Sequence, residues 1–286
     1  MSKSKKTVVI EKIFTLLYDE ASGTLKRTVV TGDDVEKAKK QCNIDNPKLK
    51  IKENGNAFNF MKDIVRSSAG MKIWPKSVRD QGWTGIQRTG GGAVFEFVPY
   101  ILGDADAFED DFKPTDKTPT YALQSLSLPL ASKALGRKDE SWLLQVAVNL
   151  RVIETHFAIG EDRQINAVEL NHLQMDIKLR KVQIDALFLA KRSMTDSDAH
   201  GSVLITVEAK QGNQRILTEQ IARQVKETFE ATPNDLVIPT AVAAIRNKGI
   251  YVVEFKAVHR PEVDEFTLPV FHREAMFVLQ PAVQGI

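Results

Sequence analysis

The chain has 286 residues, of which 43% are hydrophobic and 27% charged, and its formal net charge is +2. This composition is typical of a soluble globular protein with one large domain or two smaller ones. No apolar run is long enough to span a bilayer, and the basic start MSKSKK precedes a charged segment without a signal-peptide cleavage site. The single cysteine, Cys42, excludes an internal disulfide and a cysteine-rich zinc site. We therefore expect a cytoplasmic protein without a membrane segment.

The charge is unevenly distributed along the chain. Residues 1–100 contain 18 Lys and Arg against 11 Asp and Glu, residues 101–119 contain 2 against 6, and the remainder is nearly balanced. A basic first third suits a polyanionic partner, although a solvated lysine-rich surface produces the same imbalance. The acidic stretch around 101–125 contains prolines and lacks periodicity, which predicts a linker or exposed loop. It would separate an N-terminal DNA-binding region (1–100) from a C-terminal domain (126–286).

Short helices and a β-ribbon are predicted in the first 100 residues. Apolar residues at helical spacing predict a helix in VIEKIFTLLYDEA (9–21), and the order of acids and lysines predicts another in VTGDDVEKAKKQC (30–42). Two more helices are predicted at 56–67 and 74–83. The glycine-rich turn at 89–93 lacks the Gly-Lys-Ser/Thr ending of a phosphate loop and leads into a strand. Short helices closed by a β-ribbon resemble a winged-helix module.

Polar side chains interleave with aromatic residues between positions 72 and 92. Trp74 and Trp83, with the nearby Phe95, are expected to be core residues and not base-stacking platforms. The polar side chains between them suit contacts to phosphates and to base edges in a groove of DNA. The candidate DNA-binding residues are Lys72, Lys76, Arg79, Gln87 and Arg88.

The second part of the chain is predicted to be α/β (α+β), with a mixed central β-sheet flanked by helices. SWLLQVAVNLRVIETHF (141–157) fits either a helix or a strand. Alternating apolar residues predict a hairpin over 170–190, and SVLITVEAK (202–210), which is almost continuously apolar, is expected to be a central strand. The remaining predicted elements are an amphipathic helix at 215–231 and strands at 235–246 and 249–258.

Two carboxylates and one ammonium are expected to meet on this sheet. Glu208 and Lys210 are two residues apart on one strand, so their side chains project from the same face. Asp185 lies in the middle of the preceding predicted strand, within reach of Glu208 if the two strands are neighbours. Carboxylates about 4–5 Å apart repel each other unless a divalent cation lies between them, and oxygen ligands suit Mg²⁺. The alternative is an exposed ion pair at a sheet edge, which would contribute at most about 1 kcal/mol.

These motifs resemble the PD-(D/E)xK nuclease superfamily over about residues 140–257. ID (184–185) and EAK (208–210) match, in order and context, the hairpin that carries the Asp and the strand that carries Glu-x-Lys in that superfamily. An isoleucine replaces the family's proline in the first motif. Gln220 and Gln224 resemble the glutamine-bearing helix that some members carry beside the active site. The resemblance implies a restriction-endonuclease-like core: a helix, the hairpin, the Glu-x-Lys strand, a helix and a further strand.

The resemblance also implies roles for individual residues. Asp185 and Glu208 would hold Mg²⁺, and Lys210 would orient a metal-activated water that attacks the scissile phosphate without a covalent intermediate. Family members often supply one more carboxylate from an upstream helix. Glu154 is the first candidate for it and Glu169 the second.

Other polar residues of this half are weaker candidates. The insertion KRSMTDSDAHG (191–201) is longer than a tight hairpin needs, and such insertions often reach DNA in bacterial restriction endonucleases. Its acids, Asp196 and Asp198, are less suited to the site than the upstream glutamates. The histidines are not spaced like a metal site and are expected at the surface or against DNA; they include His156, His172 and His200.

The combined features resemble a type II restriction endonuclease. The expected activity is Mg²⁺-dependent, sequence-specific cleavage of double-stranded DNA by a homodimer on a palindrome, paired in function with a cognate DNA methyltransferase. A repair or junction-resolving nuclease with the same core is one alternative. A non-catalytic DNA-binding protein that keeps the fold is the other.

Overall fold

The computed structural model describes residues 4–53, 55–61, 64, 73–88, 92–100, 112–134, 136–180, 182–193, 201–211 and 214–286. Within these ranges the chain has mixed α/β structure with seven α-helices, a large mixed eight-stranded sheet and smaller N-terminal sheets. It divides into two compact units, Met1–Asp111 and Phe112–Ile286. In the described part, no helix has the length and apolar character needed to cross a membrane.

The first unit consists of helices and short strands. Its helices are α1 (Lys5–Leu17), α2 (Gly32–Asp45) and α3 (Lys76–Asp80), with 3-10 turns at Pro47–Leu49 and Ala57–Asn59. Its strands are β1 (Tyr18–Asp19), β2 (Thr24–Leu25), β3 (Val29–Thr31), β4 (Trp83–Gln87) and β5 (Ala93–Pro99). β1 pairs with β2, and β5 lies between β3 and β4 in an antiparallel sheet. Of the predicted helix at 56–67, residues 62–63 and 65–67 lie outside the described residues.

Helix α2 begins at a capping box, which explains why the predicted helix starts there. The Thr31 hydroxyl accepts a hydrogen bond from the Asp34 backbone N–H at 3.4 Å, and the Asp34 carboxylate accepts one from the Thr31 N–H at 2.8 Å. These bonds satisfy backbone donors that a helix start leaves unpaired. Asp33 and Asp34 also place negative charge at the positive end of the helix dipole.

Aromatic side chains form the core of the first unit, as the sequence predicts for Trp74 and Phe95. The Trp74 ring makes edge contacts with Phe95 and Phe97, at centroid distances of 6.4 Å and 6.0 Å. Gly85 is required beside it, because a Cβ atom at that position would lie 2.5 Å from the Trp74 ring. Trp83 is half-buried. The segment predicted as a helix at 74–83 is shorter than expected, since strand β4 begins at Trp83.

The second unit contains the eight-stranded sheet and four helices within the described residues. The helices are α4 (Leu130–Ala134), α5 (Glu140–Asn149), α6 (Val152–Ala158) and α7 (Thr218–Ala231), with a 3-10 turn at Arg260–Glu262. The strands are β6 (Thr120–Gln124), β7 (Ala167–Leu179), β8 (Val182–Arg192), β9 (Ser202–Lys210), β10 (Leu236–Ile245), β11 (Gly249–Phe255), β12 (Val258–His259) and β13 (Phe271–Gln280). They are ordered β6-β13-β11-β10-β9-β8-β7, and β12 also pairs with β10. β9 is parallel to β10 and β6 to β13, while the other pairs are antiparallel.

Two strands of this sheet, β6 and β13, are not predicted from the sequence. β6 falls within the range 101–125, which is predicted to be an acidic linker, and it pairs with β13.

The ambiguous segment 141–157 forms two helices, α5 and α6, which meet at Arg151 in a left-handed conformation with φ of 53°. The valine alternation there is also compatible with a helix because α5 buries consecutive apolar residues against the sheet.

Helices cover the two faces of the sheet, and this arrangement determines where polar side chains meet. Residues of α5 and α6 pack with Ala186, Phe188 and Val207 on one face, the α5–α6 face. Helix α7 packs on the other, the α7 face, where its Val225 contacts Leu204. Because side chains alternate along a strand, even-numbered residues of β9 and odd-numbered residues at the start of β8 lie on the α7 face.

Pro239 lies in the central strand β10, where the missing backbone N–H would ordinarily interrupt a ladder. On one side of β10, β12 pairs with Leu236 and Val237, and β11 takes over at Thr240. The proline therefore falls at the gap between two partner strands, where no antiparallel partner is assigned to it.

Candidate functional site

Asp185 and Glu208 face each other across neighbouring strands. β8 and β9 are antiparallel, with Ala186 opposite Val207. Continuing this register by one residue places Asp185 opposite Glu208, where the Cβ atoms of a cross-strand pair are about 4.5–5.5 Å apart. The backbone N–H of Ala209 donates a hydrogen bond to Asp185 Oδ2 at 2.8 Å, which holds this carboxylate against β9.

Glu208 and Lys210 form a buried ion pair that two glutamines of α7 support. Glu208 is 1% exposed and Lys210 is 2% exposed. Lys210 Nζ donates to Glu208 Oε1 and to Gln220 Oε1, the latter at 3.4 Å. Gln224 Nε2 donates to Glu208 Oε2 and to the carbonyl of Gln183 at 3.0 Å. The alternative of an exposed ion pair at a sheet edge is wrong, because the pair is buried in a central strand.

The pKa of Asp185 is raised from 3.8 to about 7. Burial is the largest cause, and the negative charge of Glu208 raises the pKa further. The hydrogen bond from Ala209 and the positive charge of Lys210 offset only part of this effect. Two carboxylates thus share one ammonium, and the cluster is short of positive charge when both acids are ionised.

A third acid, Glu140, acts electrostatically on Asp185. Glu140 is the first residue of α5, is half-buried, and its charge contributes to the raised pKa of Asp185. Asp139 caps the same helix by accepting a hydrogen bond from the Trp142 N–H at 2.9 Å. The sequence analysis missed Glu140. The sequence DES (139–141) before an apolar run marks a helix start. That capping signal would have placed Glu140 in the first turn of the helix.

The two acids predicted for this role lie elsewhere. Glu169 is exposed on β7, where it accepts hydrogen bonds from Lys191 at 2.8 Å and from Asn171 at 2.6 Å. Its register partner Lys191 lies six residues along β8 from Asp185, about 20 Å away in an extended strand. Glu154 is on α6, which covers the opposite face of the sheet, and burial raises its pKa. Glu169 is therefore too far from Asp185 to join the cluster, whereas Glu154 remains a prediction.

The predicted DNA-binding residues that the structure describes belong to the first unit. Lys76 and Arg79 lie on α3, and Gln87 ends β4. Arg88 Nε donates to Glu96 Oε2 at 2.8 Å, so this guanidinium is engaged within the unit. Lys72 lies outside the described residues.

His156 is buried, contrary to the expected surface position, and His172 is half-buried. His156 is 2% exposed, and its Nε2 lies 2.8 Å from Glu254 Oε2. The half-buried His172 ring packs edge-on against Phe188, with centroids 5.1 Å apart. His200, like Asp196 and Asp198, falls outside the described residues.

The donor set formed by Asp185 and Glu208 suits a hard divalent cation. Carboxylate oxygens are the ligands that Mg²⁺ prefers, and a bound cation would offset the burial and the Glu208 charge that raise the pKa of Asp185. Across the described ranges, no group of three or more His, Cys, Asp or Glu side chains is arranged to hold a metal ion. Any ion bound here would therefore complete its coordination with water or substrate.

Comparisons with protein-family models, with curated proteins and with solved structures find no match to this chain. Its function must therefore be inferred from the side chains that meet on the α7 face. Those side chains combine two carboxylates, a buried ammonium and two supporting amides.

Proposed function

We propose that this chain is a Mg²⁺-dependent endonuclease that hydrolyses phosphodiester bonds in double-stranded DNA, in the manner of a type II restriction enzyme. The observation that carries this proposal is the cluster of Asp185, Glu208 and Lys210 on one face of a central strand pair. The order of elements supports it as well. Helix α5, hairpin β7–β8, strand β9, helix α7 and strand β10 follow the order that the resemblance to PD-(D/E)xK nucleases implies.

Each side chain of the cluster has a role in this reaction. A divalent cation between the carboxylates would supply charge for an anionic transition state and lower the pKa of a water. Asp185 must lose its proton to serve as a ligand. Lys210 is held by Glu208 and Gln220 and presents a fixed positive charge that orients the attacking water and offsets charge on the phosphate. Gln224 fixes the orientation of Glu208 by donating to its second oxygen.

The first unit supports a DNA-binding role that gives sequence specificity. It contains short helices and an antiparallel three-stranded sheet, the parts that a winged-helix module combines. The exposed Lys76 and half-buried Arg79 lie on its helix α3 and suit contacts to a groove. One active site cuts one strand, so a cut through both strands of a palindrome calls for a homodimer. A cognate DNA methyltransferase would protect the host sequence.

Cleavage of supercoiled plasmid tests the proposal. Purified protein with Mg²⁺ is expected to give discrete fragments, and EDTA is expected to stop the reaction. Lys210→Ala should lower the rate by about 10²–10³-fold, the usual loss when one preorganised donor to a transition state is removed. The matched control is Lys191→Ala, which removes an exposed lysine of the neighbouring strand that bonds to Glu169.

The other outcomes separate the alternatives. Cleavage confined to branched DNA would favour a junction-resolving nuclease. Binding to DNA without cleavage of any substrate in Mg²⁺ would favour a non-catalytic DNA-binding protein. Equal cleavage by the Lys210→Ala and Lys191→Ala variants would show that the candidate site takes no part in the reaction.

A further inference from the structure

A positively charged cleft opens beside the candidate site in the second unit. It encloses about 1430 Å³. Its cationic side chains come from three separate segments: the chain before β6, the chain before α5, and the turn between β10 and β11. They are all exposed and comprise Lys113, Lys138, Arg246 and Lys248, against the two acids Asp139 and Glu140.

Four cations against two acidic side chains give the side chains of this cleft a net positive charge, and the backbone oxygen of Ile286, which also lines it, accepts a hydrogen bond from the Asn247 N–H at 3.3 Å. Asp139 caps helix α5 and pairs with Arg137 Nε at 2.5 Å. Glu140 also lines the cleft, and its charge helps to raise the pKa of Asp185. The cleft therefore adjoins the candidate site through Glu140 and carries four cationic side chains.

Two residues that adjoin the candidate site also line the cleft. Gln211 lines the cleft and directly follows Lys210. Glu140 lines it as well and acts electrostatically on Asp185. A ligand that occupied the cleft would thus lead to the carboxylates and the ammonium described above.

Two of the cationic residues lie in a turn whose backbone conformation is fixed by a hydrogen bond and a glycine. Arg246 and Lys248 belong to the three-residue connection between β10 and β11, which the Lys248 N–H closes by donating to the Ile245 carbonyl at 2.8 Å. The next residue, Gly249, has φ of 142°, and a Cβ atom there would lie 2.0 Å from the Phe277 carbonyl oxygen. Only glycine fits this position. The turn therefore presents its two cations from a well-defined backbone.

We infer that this cleft binds the phosphodiester backbone of the DNA strand that enters the candidate site, an inference that rests on the proposed function. A DNA backbone carries one negative charge per phosphate, which lysine and arginine side chains contact without reading sequence. The candidate site receives the scissile phosphate, and the cations of the cleft hold neighbouring phosphates of the same strand. The second unit thus has a DNA contact surface of its own, in addition to the residues predicted in the first unit.

Fluorescence anisotropy with a labelled duplex in EDTA tests this inference on the full chain, since EDTA allows binding to be read without cleavage. The variant is Arg246→Gln with Lys248→Gln, which leaves Gly249 in place. The control is Lys117→Gln with Lys256→Gln, two exposed lysines of the same unit that do not line the cleft. Thermal unfolding of both variants establishes that they fold.

The expected result is a weaker and less salt-dependent interaction for the cleft variant alone. Each lost phosphate contact lowers the slope of log affinity against log salt by about 0.9, so two contacts lower it by about 2. The affinity at low salt should fall by about tenfold or more for any duplex sequence.

Other results would overturn the inference. Equal affinities and slopes for the cleft and control variants would remove the cleft from DNA binding. Competition by polyglutamate as effective as that by unlabelled duplex would point to an acidic polypeptide instead. A wild-type chain that binds the duplex through these residues but never cuts in Mg²⁺ would refute the proposed hydrolysis and leave the cleft inference standing.

Discussion

Two buried carboxylate clusters lie on opposite faces of the same sheet, and they differ in how their charge is balanced. On the α5–α6 face, Glu254 accepts hydrogen bonds from Arg273 Nε at 2.6 Å, from Gln164 Nε2 at 2.7 Å and from His156 Nε2 at 2.8 Å. On the α7 face, Asp185 and Glu208 share the ammonium of Lys210. In the first cluster Arg273 balances the charge of Glu254, while the second contains more negative than positive charge.

The pKa values of the two clusters shift in opposite directions. Burial alone would raise the pKa of Glu254, but the bonds from His156 and Gln164 and the charge of Arg273 outweigh it and hold the pKa below its ordinary value. Burial lowers the pKa of His156, while its bond to Glu254 raises it in part. The pKa of Asp185 is raised to about 7. The contrast separates a structural brace between α6, β11 and β13 from the cluster at which we propose that a cation binds.

Breaking the brace should give the largest effect. Arg273 is 13% exposed at its side chain and also donates to the carbonyls of Ile159 and His156. Arg273→Met would leave the Glu254 carboxylate buried without its cation, so the free energy of unfolding should fall by about 3–5 kcal/mol in urea denaturation. Arg180→Met, which removes an exposed ion pair with Glu230, should cost at most about 1 kcal/mol. Similar losses in both variants would contradict the assignment of the Glu254 cluster as a brace.

Binding of Mg²⁺ to the Asp185–Glu208–Lys210 cluster should depend on pH, because Asp185 must lose a proton before it can bind the ion. Because the pKa of Asp185 is about 7, proton and Mg²⁺ compete for this carboxylate at acidic pH. The Mg²⁺ affinity measured by titration calorimetry should rise about tenfold per pH unit up to about pH 7 and then level off. Asp185→Asn should abolish this dependence. An affinity that stays constant over the same range would show that Asp185 does not bind the ion.

The same carboxylate should reduce stability at alkaline pH when no cation is present. Because the folded pKa of Asp185 lies above its ordinary value of 3.8, the folded state binds more protons than the unfolded chain between the two values. Stability therefore falls as the pH rises from 3.8 to about 7 and then levels off. A shift of about three units corresponds to about 4 kcal/mol, and solvent screening of this partly buried group reduces it to about 2 kcal/mol.

Asp185→Asn should consequently stabilise the metal-free protein by about 2 kcal/mol at pH near 8 and by little below pH near 4, as measured by urea denaturation in EDTA. Asp176→Asn is the matched control, because Asp176 is an exposed carboxylate of the neighbouring strand β7. A stabilisation by Asp185→Asn that does not change with pH would show that ionisation of Asp185 is not its source.

Strands β7 to β11 and helix α7 could be predicted because their patterns are local. Alternation or continuous apolar character defines each strand, and α7 has its apolar residues on one face. Strand β13 escaped prediction because it carries His272, Arg273 and Glu274 in succession, and their burial depends on partners far away in the sequence. The short strand β6 has no pattern of its own and is defined by its pairing with β13.

The candidate site shows the same division between local and distant information. Glu208 and Lys210 share a face because of their spacing, and Asp185 joins them because the two strands are adjacent. Glu169 does not join the cluster, because proximity along the chain does not reveal which residues of a neighbouring element reach the site. The buried partners of Glu254 come from segments about 90 residues or more away, such as Gln164 and His156. The spacing of residues along the sequence therefore does not predict that these side chains meet Glu254.

The smallest expected effect tests whether Glu140 belongs to the second cluster. Its charge raises the pKa of Asp185, but less than burial and Glu208 do. Glu140→Gln should therefore lower that pKa by less than about one unit, and the midpoint of the Mg²⁺ affinity profile should move to lower pH by the same amount. Glu161→Gln removes an exposed acid of the same unit as the control and should leave the midpoint unchanged. If Glu140→Gln leaves it unchanged as well, Glu140 lies outside the electrostatic reach of the site, and the cluster consists of Asp185, Glu208 and Lys210 without it.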